Sequence, residues 1–185
     1  MTDPLKILVV CTANVCRSPM GEFLLRAMAD QRGLAVDVSS SGFMTNGDPA
    51  SPRVQEVMAA RGYDLSAHAS RCSTPKILES ADLIVTMERR HGRDLSLMLP
   101  SAQRRIFTLG RVVDLLAEPT SDGTTAIDRL ADLGANRVAG DLLGEGPDEV
   151  DDPFAKSLRV HRQTADRLTS LCAGLLVGLF GSTEG

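Results

Sequence analysis

The fold of this chain is decided near its start, by residues 5–22, which read LKILVVCTANVCRSPMGE. Leu5–Val10 is a short apolar run rich in β-branched residues, of the kind that forms a fully buried parallel strand. Ser18, Pro19 and Glu22 carry the signals of a helix start, with Ser18 predicted as the N-cap and Pro19 as the first helical residue. The segment therefore predicts a strand, a tight loop and a helix in direct succession.

Strands and helices keep alternating after this segment. Such alternation is typical of an α/β domain in which helices cover both faces of a parallel sheet. In these sheets ligands bind beyond the carboxyl ends of the strands, and the loop after Val10 lies at such an end. The further predicted strands span 35–40, 81–86 and 105–109, and the further predicted helices span 53–61, 88–97 and 155–179.

Length and composition fit one globular, cytoplasmic domain. The chain has 185 residues, of which 43% are hydrophobic and 24% charged, and no apolar run reaches the ~18 residues of a membrane span. Its formal net charge of −4 and its 3% aromatic content argue against a nucleic-acid binder. The first residues, MTDPLK, lack the layout of a signal peptide. We therefore expect a cytoplasmic protein that interacts with neither nucleic acid nor membrane.

The four cysteines have neither the context of a disulfide framework nor the spacing of a zinc site. Thiols of a cytosolic chain stay reduced. Only Cys11 and Cys16 are close in sequence, and their spacing is unlike that of zinc ligands. Cys172 lies in the apolar run 171–180 and is interpreted as a buried hydrophobic residue. We expect no metal.

The loop from Cys11 to Arg17 carries residues suited to phosphate chemistry. Between a strand and a helix N-terminus, successive backbone N–H groups converge and the helix dipole adds positive potential, which makes an anion site. The planar guanidinium of Arg17 offers paired donors to phosphate oxygens. The same positive field favours the thiolate form of Cys11, and a thiolate that faces a bound phosphate ester is a nucleophile for phosphoryl transfer.

A phosphoryl transfer also needs an acid that protonates the leaving oxygen. Asp151 and Asp152 lie in a loop just before the last predicted helix, and Pro153 stiffens the chain after Asp152. Asp152 is the predicted general acid. The alternative is that Asp152 only caps the final helix.

Together these residues resemble the low molecular weight protein tyrosine phosphatases. The family signature is matched by CTANVCRSP at 11–19, and the family's late acid loop by Asp152-Pro153. The resemblance implies one three-layer domain over residues 1–185, with a four-stranded parallel sheet flanked by helices, the fold called phosphotyrosine phosphatase I-like. Further matches lie at 40–42, 47–52, 64–71 and 81–87, so that the resemblance covers about residues 5–111 and 150–180.

The resemblance also implies the reaction. Cys11 would attack the phosphorus of a phosphotyrosyl protein or a small phosphomonoester and form a phosphocysteine, while Arg17 binds the transferring group. Asp152 would protonate the leaving group and then activate the water that hydrolyses the intermediate. No metal or other cofactor takes part.

Roles for the remaining loop residues follow from the same resemblance. Asn14 would hold the loop through its side-chain amide, with Ser40 and His68 as its supports, and Ser18 would stabilise the thiolate of Cys11. Cys16 matches the family's second loop cysteine, which can form a disulfide with the nucleophile; the alternative is a thiol that only packs in the loop. The predicted substrate-binding residues are Thr12, Ala13, Asn14, Val15, Cys16 and Ser18.

The chain departs from the family pattern around the cleft. Ala13 replaces the usual glycine, which would strain the loop if position 13 required a positive φ. Gly21 stands where the family often has alanine. The aromatic residues that flank the family's cleft are reduced to two candidates, Phe43 and Phe154.

The largest departure is an acidic insertion at about 118–150. From Glu118 to Asp152, ten acidic residues stand against two basic ones. We predict a short helix near 125–133 and otherwise a mobile loop. The insertion is either a solvated surface without a specific task, or a lid or selectivity element beside the site.

Other functions use the same fold or the same kind of loop. Arsenate reductases resemble the chain up to Arg17 but relay oxidation through a second and a third cysteine, whereas residues 73–171 contain no cysteine and Cys72 is solitary. A cysteine phosphocarrier, or a binding module without turnover, would have no use for Asp152. The sequence favours the phosphatase over these alternatives.

Overall fold

A computed structural model describes residues 3–44, 46–118 and 124–182 of the chain. Within these ranges one parallel sheet has the order β2-β1-β3-β4, which confirms the predicted α/β class. The strands are β1 Leu5–Val10, β2 Val36–Ser41, β3 Leu83–Thr86 and β4 Ile106–Thr108. The helices are α1 Arg17–Gln31, α2 Pro52–Ala59, α3 Pro75–Glu79, α4 Arg89–Met98, α5 Leu109–Leu116, α6 Ala126–Ala135 and α7 Leu158–Phe180, with 3-10 turns at Pro100–Arg105 and Ala139–Leu142.

Strand β1 divides the core into two layers. Because successive side chains of a strand point to opposite faces, Ile7 and Val9 pack under α1, α5 and α7, whereas Leu8 and Val10 pack under α3 and α4. All four side chains are at most 1% exposed. The sheet is therefore covered on both faces, which gives the three layers that the resemblance implied.

The strand order places a crevice at the carboxyl end of β1. The chain leaves β1 to form β2 on one side and later forms β3 on the other, with Val10 paired to Ser41 and to Thr86. Connections that diverge in this way open a gap between the loops after the central strands, where ligands bind in α/β sheets. The loop that begins at Cys11 and the residues after Thr86 border this gap.

Two helix starts differ from the sequence prediction. Helix α1 begins at Arg17 with Cys16 at the N-cap position, so Ser18 lies inside the helix and does not cap it. Helix α7 begins at Leu158 and not near Ala155, because Ala155 has φ 58°, a left-handed conformation that an α-helix cannot contain. The short helices α3 and α5 lay outside the prediction.

The described part of the acidic segment packs on several elements: α6 contacts the 3-10 turn Pro100–Arg105 and α7, and the turn Ala139–Leu142 contacts α4 and β4. Its first part, residues 119–123, lies outside the described residues, and α6 follows with a capping box between Thr125 and Asp128. Three arginines then fix the segment that was predicted as a mobile loop. Arg93 Nη1 donates to Leu142 O at 2.5 Å, Arg111 Nε to Asp141 Oδ1 at 3.1 Å, and Arg89 Nη2 to Asp148 Oδ1 at 2.5 Å.

Helix α7 is the longest of the described helices, with 23 residues. It packs against α1, α2 and α5, and Cys172 on its inner face is fully buried, as the sequence predicted. None of the helices in the described part of the chain is long and apolar enough to cross a membrane.

Candidate active site

The loop after β1 turns its carbonyl groups outward. A trans peptide directs the N–H of each residue opposite to the preceding carbonyl. The outward carbonyls therefore leave the N–H groups of Ala13, Val15 and Cys16 facing the concave side, which suits an anion. The carbonyls accept from Phe43 N at Thr12 O (2.7 Å), from His68 Nε2 at Asn14 O (2.7 Å) and from Ser51 N at Val15 O (2.8 Å).

Asn14 holds the loop from behind. It is fully buried and has φ 57°, a left-handed conformation that asparagine adopts more readily than most residues. Its Nδ2 donates to Ser18 Oγ at 2.9 Å and to Ser40 Oγ at 2.8 Å, and its Oδ1 accepts from Arg71 N at 2.9 Å. With the His68 bond to its carbonyl, the structure brings Asn14, Ser40 and His68 into contact.

Ala13 is accommodated without backbone strain. In the described ranges only Asn14 and Ala155 among non-glycine residues have positive φ values. Position 13 therefore does not require a positive φ, and alanine fits there without distorting the loop. Gly21 packs its backbone against the sheet, where an added Cβ would lie 3.1 Å from Val9 Cγ1.

Cys11 lies at the end of β1 with 2% of its surface exposed. Because the Ser18 hydroxyl accepts the Asn14 bond, its hydrogen is free to point elsewhere. The acceptors within reach are Cys11 Sγ at 3.0 Å and Ser41 O at 3.5 Å, so the shorter contact goes to the sulfur. A hydroxyl that donates to sulfur at a helix N-terminus stabilises a thiolate.

The guanidinium of Arg17 lies under the loop with only 1% exposure. Its Nη1 donates to Glu88 Oε1 at 2.5 Å and to Val150 O at 2.9 Å, and its Nη2 donates to Asp152 Oδ2 at 2.7 Å. Its Nε is buried and finds no hydrogen-bond partner among the described residues. A buried cationic N–H without an acceptor is costly, and a phosphate oxygen in the loop would satisfy it.

Of the two adjacent acids, the structure places Asp152 at the cleft and Asp151 outside it. Asp152 has 40% of its side chain exposed, and its Oδ1 accepts from Phe154 N at 3.1 Å, which fixes the turn. It caps no helix, since α7 begins six residues later, at Leu158. Asp151 lines a separate polar groove between the insertion and α7.

The cleft above the loop is small and has apolar walls. It has a volume of about 150 Å³. Phe154 and Met44, both 64% exposed, stand at its rim. Phe43 does not reach it and stacks instead on the His91 ring, with centroids 5.6 Å apart. The remaining lining residues are Cys11, Thr12, Ala13, Val15, Cys16, Arg17 and Asp152.

Cys16 lines the same cleft as a free thiol. Burial raises the pKa of Cys16, although its Sγ donates to Ser51 Oγ at 3.3 Å, a contact that lowers it. Neutral Cys16 therefore sits beside the candidate nucleophile, and its thiol hydrogen is used by Ser51.

Sequence reasoning missed the residues that follow β3. Glu88 accepts from both Arg17 and Arg90; burial alone would raise the pKa of Glu88, but these hydrogen bonds outweigh burial and lower it to about 2. His91 lies in the first turn of α4 and contacts Thr12. The predicted parallel sheet contains a signal for these residues, because the carboxyl ends of its strands share one edge and residues after β3 therefore lie near those after β1.

Comparison with known proteins agrees with this geometry. The family model described as low molecular weight phosphotyrosine protein phosphatase matches residues 6–120, a range that contains the loop but ends before Asp152. A protein-arginine-phosphatase of Bacillus subtilis is 31% identical over 166 residues, which cover 89% of this chain and 90% of that protein.

Two solved structures share the fold across nearly the whole chain. A low molecular weight protein tyrosine phosphatase from T. tengcongensis has a TM-score of 0.73 and 29% identity, and the match covers 93% of this chain and 97% of that one. An arginine phosphatase, YwlE, with a phosphorylated active-site serine in place of its cysteine has a TM-score of 0.72 and 28% identity, covering 92% and 93%. The chain belongs to the low molecular weight phosphotyrosine protein phosphatase family.

Proposed function

We propose that this chain hydrolyses phosphate groups on proteins through a phosphocysteine at Cys11. The observation that carries the proposal is the Cys11 thiol placed against Ser18 Oγ, in a loop whose N–H groups converge and whose Arg17 Nε has no partner in the described chain. Such a loop binds a phosphoryl group on its N–H groups and guanidinium and presents a thiolate to the phosphorus.

The reaction has two steps. The Cys11 thiolate forms a bond to phosphorus while the phosphorus–oxygen bond to the leaving group breaks, and the Asp152 carboxyl gives its proton to that oxygen. Asp152 then takes a proton from water, whose oxygen attacks phosphorus as the sulfur–phosphorus bond breaks. The thiolate that is released accepts the Ser18 hydroxyl hydrogen.

Asp152 and the phosphate would compete for the guanidinium of Arg17. Asp152 Oδ2 lies 2.7 Å from Arg17 Nη2, and a phosphate that binds both Nε and Nη2 takes the place of the carboxylate. The displaced Asp152 is then free to reach the leaving oxygen above the loop, while Glu88 and Val150 O hold the other side of the guanidinium.

Phosphotyrosine is the substrate that the cleft walls favour. Val15, Met44 and Phe154 form an apolar slot, and aromatic rings bind well between such side chains. A second candidate is phosphoarginine, because the Bacillus subtilis relative is named a protein-arginine-phosphatase. Asp152 is the single carboxylate of the described cleft lining that could bind a guanidinium.

The two neighbouring acids provide a matched test of the mechanism. Asp152→Asn should lower kcat/KM about 10²–10⁴-fold with phenyl or alkyl phosphates and much less with an activated nitrophenyl ester, which needs little protonation to leave. Asp151→Asn should have little effect on either. Equal losses of kcat/KM in both variants, or a steeper dependence of kcat/KM on the leaving group in Asp151→Asn, would show that Asp152 is not the general acid.

The nucleophile and the substrate class are tested separately. Cys11→Ser should lose several decades of activity while the circular dichroism spectrum is unchanged, since a serine hydroxyl stays protonated in this loop. Rates on a phosphotyrosyl and a phosphoarginyl peptide of the same sequence decide between the two substrates. Retention of most turnover by Cys11→Ser would disprove the phosphocysteine mechanism.

Thiol-dependent arsenate reduction is not favoured by the positions of the remaining cysteines. Cys172 is fully buried on α7, where burial raises the pKa of its thiol to about 12. Cys72 pairs with Gly42 in an isolated bridge at the edge of the sheet. A relay of oxidation from Cys11 needs a second accessible thiolate, and Cys172 does not supply one.

We further propose that residues 118–150 are an insertion within one phosphatase domain that acts in the cytoplasm on phosphorylated proteins. A reducing compartment suits a nucleophilic thiol with a second free thiol in the same loop. The net charge of −4 argues against nucleic acid as a partner.

A further inference from the structure

A buried histidine touches the phosphate loop from the neighbouring strand end. His91 lies in the first turn of α4 and is 1% exposed. Its Nε2 lies 3.0 Å from the hydroxyl oxygen of Thr12, the residue that follows Cys11. No step of the reaction above uses this imidazole.

The three contacts of the Thr12 hydroxyl determine where its hydrogen points. The oxygen lies 3.3 Å from Arg17 Nη2 and 3.1 Å from Arg90 Nη2. A guanidinium can only donate, so both oxygen lone pairs of Thr12 are used as acceptors. The one hydroxyl hydrogen must therefore go to His91 Nε2.

This direction makes His91 neutral, with its hydrogen on Nδ1, a buried atom to which the described residues offer no hydrogen-bond partner. A protonated imidazole would present N–H to an oxygen that has no lone pair left. Four charged groups surround the ring: Glu88, 3.8 Å from Nε2, and Arg90 on its own helix, Arg17 from α1, and Asp152 from the loop before α7. Burial lowers the pKa of His91 to about 4, with Arg17 and Arg90 acting in the same direction.

We propose that His91 is a positioning residue of this phosphatase, a neutral acceptor that orients the Thr12 hydroxyl so that Thr12 holds the guanidinium of Arg17. The inference rests on the proposed function, because it assigns to Arg17 the task of binding phosphate. Thr12 is the one described loop side chain that Arg17 and Arg90 both contact, so its orientation helps to hold both cations beside the loop. Phe43, stacked on the ring, keeps the imidazole in place.

Protonation of His91 would undo this arrangement. The new N–H would turn the Thr12 hydroxyl away from its two arginines and add a positive charge beside them. Loss of the ordered guanidinium lowers the affinity for phosphate. The affinity for phosphate should therefore fall at acidic pH through protonation of His91, a residue that does not touch the substrate.

The test is the affinity of the full chain for inorganic phosphate at pH 7, measured by titration calorimetry. His91→Leu should weaken binding about tenfold, the effect of losing one hydrogen bond to a charged network. Thr12→Val should do the same. Because His91 acts through Thr12, the double variant should bind no more weakly than Thr12→Val alone.

A conservative variant and a buried control separate positioning from general destabilisation. His91→Gln supplies a neutral oxygen acceptor that does not titrate, so it should recover most of the affinity lost in His91→Leu. As pH falls from 6.5 to 4, wild type should lose affinity relative to His91→Gln. His161→Leu removes another buried histidine, on α7, and should lower stability without changing phosphate affinity.

The outcomes distinguish this inference from the proposed function. If wild type binds no phosphate, the proposed function fails and the role of His91 with it. If wild type binds phosphate but His91→Leu binds equally well, or the two single losses multiply in the double variant, only the role of His91 is overturned.

Discussion

Gly42 provides a sharp test of how rigidly the phosphate loop must be held. The residue follows β2 directly, and its backbone bonds to Arg71 O and Ser73 N leave it no freedom to move. A Cβ at this position would lie 2.8 Å from Asn14 N and 2.9 Å from Thr12 O. Both atoms belong to the backbone of the loop. Gly42→Ala therefore pushes the loop itself and not a flexible side chain.

The size of the effect follows from these distances. To regain ordinary contact the loop backbone must shift by about 0.6 Å. Overpacking of this kind costs about 1–3 kcal/mol, which lowers Tm by roughly 2–12 °C in a chain of this size. A displacement of that order beside the reacting atoms should lower kcat/KM by about 10- to 100-fold.

The assay combines thermal unfolding with kcat/KM on an aryl phosphate. Gly140→Ala is the matched control, because a Cβ there meets no described atom within 4 Å, and it should change neither quantity. If Gly42→Ala kept the wild-type kcat/KM, the premise that catalysis depends on the exact loop position would be refuted. A loss of stability without a loss of activity would refute that premise equally.

Three further outcomes are expected. Arg17→Lys should raise KM and lower kcat together, because an ammonium group cannot reproduce the paired N–H donors of the planar guanidinium. The control Arg159→Lys, at an exposed residue, should change neither. Equal kinetics of the two variants would refute the assignment of Arg17 to phosphate binding. Asp148→Asn should lower the free energy of unfolding by about 3 kcal/mol in urea titrations, since Asp148 is 5% exposed and a neutral amide leaves the charge of Arg89 without its carboxylate. The folded-state pKa of Glu88 is about 2 and its ordinary value is 4.5. The ionised Glu88 therefore stabilises the fold fully above pH 4.5, and this stabilisation disappears as pH falls to 2. In Glu88→Gln, the free energy of unfolding should depend less on pH between 4.5 and 2.

The sequence predicts best those parts that depend on local pattern. Leu5–Val10 matches the predicted strand at both ends, because an apolar β-branched run next to a helix start has a single interpretation. Ser18 was placed in the right helix, but its prediction as the N-cap is wrong, whereas the contact with Cys11 that the family resemblance implied is present. Its hydroxyl serves Cys11 and Asn14, and that choice is made by tertiary contacts which outweigh the capping preference.

The parts that the sequence did not reveal depend on strand order. Nothing local in the sequence relates His91 and Glu88 to a loop more than seventy residues earlier. Only the pairing of β3 beside β1 brings them under Thr12 and Arg17. The short helix α3 escaped prediction for another reason. It has five residues, too few to show a hydrophobic periodicity, and it is held by its Thr74 cap and by burial of Leu78.

The anchoring of the acid loop bears on how this chain can change in length. Asp148 is bound by Arg89, and Val150 N donates to Met87 O at 2.8 Å, so the backbone is fixed just ahead of Asp152. Residues can therefore be added to or deleted from the insertion upstream without displacing the carboxylate, since extra loop length is thermodynamically cheap. Changes of length ahead of Asp148 are thus separated from the chemistry at Asp152 by a fixed point in the chain.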